Sequence, residues 1–139
     1  QIYVMGYSAG GYHAMASVLA LQKKSVSIAG QIICYGYLRD ILDQYSALSD
    51  SEKAAMPSSL FIIAEGDPIG EGSLRYEEAL RENGVATNVK KFPGAKHGFI
   101  EENNLEYEKL YNHASKSPEQ EIMARDAENY IGNWLNEYK

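Results

Sequence analysis

The chain has 139 residues, of which 45% are hydrophobic and 23% charged, enough for one domain with a hydrophobic core. Its net charge of -6 argues against a nucleic-acid partner, because phosphate binding requires a basic surface and the lysines occur singly or in pairs rather than in patches. No apolar run approaches the roughly 20 residues that a membrane-spanning helix needs. We therefore expect a single domain over residues 1–139, without a membrane span.

The first half of the chain is predicted to contain two strands and two helical segments. Residues 2–5 and 28–35 are apolar runs without alternation, which is typical of strands buried on both faces. Between them, residues 9–22 repeat apolar side chains at helical spacing. Residues 38–56 are predicted to be mainly helical, with a polar break at residues 49–51.

The second half continues this alternation. Residues 60–64 form a third apolar strand, residues 74–84 a helix that ends at glycine, and residues 85–92 a half-buried strand. The last helix is predicted to start after Ser117 as N-cap, with Gln120 completing a capping box. The order βαβαβαβα predicts an α/β fold, a mostly parallel sheet with helices on both faces.

The strongest motif is Gly-Tyr-Ser-Ala-Gly at residues 6–10, which fits the G-x-S-x-G nucleophile elbow. In that turn Ser8 adopts a strained backbone conformation, and Gly6 and Gly10 are predicted to leave room for neighbouring backbone. The backbone N–H of Ala9 would then donate to an oxyanion. The alternative is a glycine-rich turn with a surface serine. The position between a predicted strand and helix, at the carboxyl edge of the sheet, favours the elbow.

A carboxylate and a histidine follow in the order that such a serine requires. A hydroxyl becomes a good nucleophile when an imidazole takes its proton, and an acid then fixes the imidazole tautomer. Asp67 lies just after the third predicted strand and His97 just after the fourth. Parallel strands end at one edge of the sheet, so we expect Ser8, Asp67 and His97 to meet there.

Each of these residues has a simpler interpretation. Asp67-Pro68 is also a common turn opener, because aspartate binds its own turn backbone and proline presets φ. Glu71 competes for the acid role, although we expect it to favour a helix N-terminus, and Glu65 is predicted at the end of the strand. His97 before a glycine also fits a surface loop. The combination with Ser8 favours the triad.

The other candidate residues are weaker. His13 and His113 are expected to be packed or exposed, and Cys34 to be a small core residue. Tyr7 and Tyr12 flank the serine and are candidates for lining an acyl or alcohol pocket. No group of His, Cys and carboxylates has metal-ligand spacing, and no glycine loop matches a nucleotide fingerprint, so we expect no metal and no cofactor.

With these residues in place, the chain resembles the C-terminal half of the hormone-sensitive-lipase-like α/β-hydrolases, the group that includes bacterial acetyl esterases. The matching stretches are residues 6–11, 65–69, 74–84 and 92–99. The resemblance implies that Ser8 is the nucleophile, Asp67 the acid and His97 the base. It also implies hydrolysis of short-chain acyl esters through an acyl-enzyme.

The chain departs from this group at its N-terminus. Members carry a His-Gly-Gly-Gly-type oxyanion loop and several strands before the elbow, whereas this sequence starts directly with residues 2–5. We therefore expect the C-terminal part of a catalytic domain. With Ala9 as the sole oxyanion donor, activity should be weak, since losing one donor costs about 10²–10³ in rate. The bare edge of the first strand is expected to pair with a missing N-terminal segment or with another copy.

Three functions remain open at this point. The leading one is a serine carboxylesterase acting on a small-molecule ester. A serine peptidase of the prolyl-oligopeptidase type shares the fold and the triad order, although the Asp-Pro context counts against it. A non-catalytic hydrolase-fold binding module is favoured by the missing oxyanion loop and disfavoured by the three triad residues.

Only the cysteine content and the first residues of the chain bear on its cellular compartment. A single cysteine, Cys34, forms no intrachain disulfide, which favours the reducing cytoplasm. The chain begins without methionine, so a signal sequence lost with an upstream segment leaves secretion as the alternative.

Overall fold

The computed structural model describes residues 1–104, 106 and 116–137. Strands and helices alternate in the predicted order. The strands are β1 (Tyr3–Tyr7), β2 (Gly30–Cys34), β3 (Ser58–Glu65) and β4 (Thr87–Pro93). They form one four-stranded sheet in the order β1-β2-β3-β4, and each pair of neighbours is parallel. The predicted parallel α/β fold is confirmed.

The helices match the prediction except around residue 70. They are α1 (Ala9–Lys23), α2 (Ile41–Ser46), α3 (Asp50–Ala54), α4 (Pro68–Gly72), α5 (Leu74–Glu82) and α6 (Pro118–Glu137), with a short 3-10 helix at Glu101–Asn103. The break predicted inside residues 38–56 separates α2 from α3, where Ser49 and Glu52 form a capping box. The sequence prediction missed α4, because its start at Asp67-Pro68 was interpreted as a turn.

Two hydrophobic clusters cover the two faces of the sheet. Ile33 of β2 and Phe61 of β3 pack on one face with residues of α1, α2 and α5. Their chain neighbours Ile32 and Leu60 pack on the other face with the buried stripe of α6. Because both faces are covered, the central strands β2 and β3 are mostly apolar rather than alternating.

The outer strand β1 pairs with β2 alone among the described residues, so its other side is an open edge. Ile2 and Met5 are exposed there. An unpaired apolar edge of this kind favours pairing with another chain segment, which stays a prediction. Among the described helices, none combines the length and the apolar character that crossing a bilayer requires.

Candidate active site

The three predicted triad residues meet at the carboxyl edge of the sheet. Ser8 follows β1, Asp67 follows β3, and His97 lies in the loop after β4. Ser8 Oγ lies 2.6 Å from His97 Nε2, and His97 Nδ1 lies 2.6 Å from Asp67 Oδ2. Hydroxyl, imidazole and carboxylate are therefore joined in one line of two short hydrogen bonds.

The backbone at Ser8 is strained, as the elbow motif predicts. Its φ of 54° and ψ of -119° lie where side chains are rarely tolerated. Surrounding backbone groups fix this conformation: Ser8 N–H donates to Cys34 O at 2.9 Å, and Ser8 O accepts from the N–H groups of Gly11, Tyr12 and Tyr37. The turn between β1 and α1 is thus held by main-chain contacts from two directions.

Crowding at the elbow glycines differs from the prediction. A Cβ at Gly6 would lie 2.0 Å from Gly10 O, so no side chain fits there. A Cβ at Gly10 would meet nothing within 4 Å, and the prediction that Gly10 must make room is wrong. Gly10 is exposed on the first turn of α1, and only its backbone approaches Gly6. The second tight contact joins Gly11 to Gly36, where an added Cβ on Gly11 would lie 2.6 Å from Gly36 Cα.

Ala9 is the first residue of α1 and is exposed. The first N–H groups of a helix have no acceptor within the helix, so they are available to a ligand. The first turn of α1 contains no acidic residue, and the positive end of the helix dipole beside Ser8 is not neutralised locally. These features suit an oxyanion donor at this position.

The sequence allowed Asp67 to be a turn opener or the acid beside His97, and its carboxylate makes the contacts expected of both. It is the N-cap of α4, because Oδ1 accepts from Ile69 N–H at 3.1 Å and Oδ2 from Gly70 N–H at 3.2 Å. The same Oδ2 faces His97. Of the competing acids, Glu71 accepts from Gly66 N–H at 2.7 Å, and Glu65 ends β3 with an exposed side chain. The helix cap therefore aims the Asp67 carboxylate at the imidazole.

The hydrogen-bond pattern assigns the imidazole tautomer. A carboxylate only accepts hydrogen bonds, so the neutral imidazole that satisfies Asp67 carries its proton on Nδ1. Nε2 then presents its lone pair to the hydroxyl of Ser8, which donates to it. This is the protonation state in which His97 can accept a proton from Ser8.

Two tyrosines beside His97 were not identified from the sequence. The rings of Tyr35 and Tyr37 lie edge-on to the imidazole, with centroids 5.2 and 6.1 Å away. Tyr35 is fully buried, with φ at 37°; its hydroxyl donates to Glu101 and accepts from Ile100 N–H at 3.2 Å. Burial, with the nearby Glu101 charge, raises the pKa of Tyr35 well above its ordinary value. The signal that could have found both is their position directly after β2.

A small cavity lies next to Ala9, the residue that follows Ser8. Its volume is about 230 Å³, and it is lined by Ala9, Tyr12, His13, Tyr37 and Arg39. Tyr12, one of the two predicted pocket residues, is among them. Tyr7 is not: it lies half-buried against Tyr35, with ring centroids 6.3 Å apart, and burial raises its pKa. Tyr7 points to the α6 side of the sheet, because alternate residues of a strand face opposite sides.

The remaining candidates are placed as follows. His13 is exposed on α1, with its ring against Tyr12. Cys34 is fully buried in β2, and burial raises the pKa of its thiol. His113 lies outside the described residues. Within the described part of the chain, no group of three His, Cys, Asp or Glu side chains is arranged to hold a metal ion.

The loop before His97 is held by a side chain of α6. Gln120 Oε1 accepts from Lys96 N–H at 2.8 Å, and Gln120 Nε2 donates to Gly94 O at 2.8 Å. The N-cap predicted at Ser117 is present, since its Oγ accepts from Gln120 N–H at 3.2 Å. The capping box predicted there is wrong in its second half, because the Gln120 side chain turns to the loop instead of returning to Ser117.

Known proteins resemble this chain along almost its whole length. A "Carboxymethylenebutenolidase homolog" of Xenopus tropicalis is 30% identical over 144 residues, covering 99% of this chain and 49% of the relative. Carboxyl esterase 2 of Tuber melanosporum superposes with a TM-score of 0.72 at 19% identity, covering 98% of this chain and 53% of that one.

An esterase from Rhizomucor miehei superposes with a TM-score of 0.65 at 17% identity, covering 97% of this chain and 52% of that one. The chain thus spans about half the length of the relatives it matches. These structural neighbours confirm the α/β-hydrolase fold expected from the motifs. Residues 1–138 match the sequence profile of the dienelactone hydrolase family, and the chain therefore belongs to that family.

Proposed function

We propose that this chain carries the nucleophile, acid and base of a serine carboxylesterase that hydrolyses short-chain, acetyl-type esters. The observation that carries the proposal is the pair of 2.6 Å hydrogen bonds joining Ser8, His97 and Asp67. The family and the esterase neighbours support an ester hydrolase in general. The identity of the nucleophile and the acyl preference are argued from the site.

The geometry supports a two-step acyl transfer. His97 Nε2 accepts the proton of Ser8 as Oγ bonds to the acyl carbon, and the imidazolium is stabilised by Asp67. The imidazolium then gives its proton to the departing alcohol, which leaves an acyl-Ser8. Water, deprotonated by His97, attacks that acyl group; the carboxylic acid leaves and Ser8 recovers its proton. Asp67 stays ionised throughout.

Charge that develops on the acyl oxygen needs a donor beside Ser8. The N–H of Ala9 fills this role in our proposal, supported by its place at the first turn of α1. We assign no second donor among the described residues, so we expect slow turnover, since one missing donor costs about 10²–10³ in rate. A covalent label that reports the first step is therefore a better primary measurement than turnover.

The cavity next to Ala9 supports a small substrate. Its volume of about 230 Å³ lies below the roughly 300–1,000 Å³ of pockets for drug-sized ligands. Tyr12 and Tyr37 provide apolar ring surface, which suits a short acyl chain or a small alcohol. A long acyl chain would extend beyond this cavity.

The decisive experiment is labelling with a fluorophosphonate probe, which bonds to an activated serine. We expect stoichiometric labelling of the chain, loss of labelling in Ser8→Ala, and unchanged labelling in the control Ser17→Ala, since Ser17 is exposed on α1. Labelling that persists in Ser8→Ala would reject the nucleophile. No labelling of the unmodified chain would instead favour a non-catalytic binding module.

A second comparison separates esterase from peptidase. The chain should hydrolyse p-nitrophenyl acetate faster than a prolyl p-nitroanilide, and p-nitrophenyl decanoate more slowly than the acetate. Equal or faster turnover of the amide would favour a prolyl-oligopeptidase-type peptidase. Faster turnover of the decanoate would reject the short-chain preference.

A further inference from the structure

We infer that Gln120 is a positioning residue that holds His97 within reach of Ser8. Its carboxamide bridges two backbone groups of the loop that carries His97. The kinetic consequence rests on the proposed function, whereas the effect on the imidazole does not. The two consequences are therefore tested by separate measurements.

The geometry of the bridge is specific to an amide side chain. Gln120 is 6% exposed, and it accepts from Lys96 N–H and donates to Gly94 O, both at 2.8 Å. The carboxamide oxygen thus binds an N–H group and the carboxamide nitrogen binds a carbonyl group, and the two lie on either side of the buried Ala95. Lys96 is joined directly to His97 in the chain. A displacement of the Lys96 backbone thus also moves the backbone of His97, which carries the imidazole.

Beyond Pro93 the backbone of this loop makes no ladder hydrogen bond with the described strands of the sheet. β4 is an outer strand that ends at Pro93, and the loop leaves the sheet at this point. Gly94 and Gly98 have φ of 80° and 85°, so the segment lies between two residues with permissive backbones. Short backbone bonds close turns at Ala95 and Phe99, whose side chains are buried in the core. The backbone between them is bound to α6 through the hydrogen bond from Lys96 N–H to Gln120.

Helix α6 provides a rigid base for this support. Its buried face, which includes Ala124, Ala127 and Trp134, packs on the sheet side opposite to α1. Ser117 Oγ accepts from Gln120 N–H and fixes the first turn, from which the side chain projects. A continuous set of contacts therefore runs from the hydrophobic core through α6 and Gln120 to the His97 loop.

The effect on rate follows from how sharply proton transfer depends on distance. Ser8 Oγ and His97 Nε2 are 2.6 Å apart, and a misplacement of about 1 Å typically costs about 10²-fold in rate. Gln120 does not touch the reacting atoms. Its loss should therefore lower kcat while leaving KM nearly unchanged.

The test compares Gln120→Met with Gln120→Glu and with the control Glu121→Met. Methionine keeps the length of the side chain and removes both hydrogen bonds, whereas glutamate keeps the acceptor for Lys96 N–H. Glu121 is exposed on the same turn of α6. With p-nitrophenyl acetate, kcat should fall about 10- to 100-fold in Gln120→Met, less in Gln120→Glu, and less than twofold in Glu121→Met.

The imidazole tautomer provides a readout that needs no activity. A long-range ¹H–¹⁵N spectrum should show His97 as the single Nδ1–H tautomer in the unmodified chain and in Glu121→Met. Gln120→Met should show a mixture of tautomers, because the bond to Asp67 is no longer held. Circular dichroism identifies the variants that are folded at the assay temperature; if Gln120→Met is not folded, Gln120→Glu provides the comparison.

The outcomes separate the two proposals. A folded Gln120 variant with an unchanged His97 spectrum would overturn the positioning role, as would equal effects in Glu121→Met. An unmodified chain that neither hydrolyses the ester nor takes up the fluorophosphonate would overturn the proposed function. In that case the spectrum of His97 alone decides the role of Gln120.

Discussion

The Ser8 turn and the His97 loop meet at one hydrogen bond, yet the chain holds them by different means. Ser8 is fixed by main-chain contacts: its carbonyl accepts from three backbone N–H groups, and Gly6 lies directly against the backbone of Gly10. The His97 loop is fixed by side chains: Gln120 of α6 and Asp67 at the start of α4 bind it, and its own Ala95 and Phe99 are buried in the core.

The Ser8 turn and the His97 loop should therefore respond differently to substitutions. A turn held by crowded backbone fails when an atom is added, because main chain cannot move aside cheaply. A loop held by side chains fails when a polar group is removed, because its partners lose their hydrogen bonds. The largest effects on stability are therefore expected at the elbow, and graded effects on activity around His97.

Among the residues that hold His97, the largest expected effect on activity comes from Asp67→Asn. The amide oxygen at the Oδ1 position can still accept from Ile69 N–H, but an NH₂ at the Oδ2 position faces His97 Nδ1 and imposes the wrong tautomer, and Gly70 N–H loses its acceptor. We expect kcat for p-nitrophenyl acetate to fall about 10⁴-fold, equivalent to about 5 kcal/mol, with the fold retained. A folded variant that loses less than tenfold would show that Asp67 does not act through His97.

The largest expected effect on stability comes from Gly6→Ala. The new Cβ would lie 2.0 Å from Gly10 O, and the only relief is movement of the β1–α1 turn. We expect the free energy of unfolding in urea to fall by about 3 kcal/mol or more. A loss below 1 kcal/mol would mean that the turn is less rigid than its backbone contacts indicate.

The elements and the triad residues could be predicted because their signals are local. Ser8 lies in a five-residue motif, and Asp67 and His97 each follow a recognisable apolar strand. A parallel sheet then brings the ends of separate strands to one edge without further information. The short helix α4 was missed because the same Asp-Pro pair starts a turn or a helix.

The supports of His97 could not be predicted because they depend on distant residues. Gln120 lies 23 positions after His97, and its place in the helix fitted a capping box as well as a loop contact. Tyr35 belongs to another strand end and contacts the imidazole through its ring rather than through its hydroxyl. Gly10 shows a different limit of prediction from a motif. It fits the G-x-S-x-G pattern, but the glycines at which an added Cβ would clash are Gly6 and Gly11.

A moderate effect is expected from Tyr35→Phe, which keeps the ring beside His97 and removes the hydroxyl. Ile100 N–H then loses its acceptor and the Glu101 carboxylate its donor. We expect a loss of about 1–2 kcal/mol in unfolding free energy, and less than a tenfold change in kcat. A larger loss of kcat without loss of stability would make Tyr35 part of the reacting site rather than its support.

The smallest expected effect distinguishes the two glycines of the motif. Gly10 is exposed in α1, and a Cβ there meets nothing within 4 Å. Alanine also costs less backbone entropy than glycine in a helix, so Gly10→Ala should raise the unfolding free energy by about 0.5 kcal/mol. Gly132→Ala on α6 is the matched control, since it has equally open surroundings. If Gly10→Ala lowers stability while Gly132→Ala raises it, the elbow requires its second glycine for a reason other than crowding.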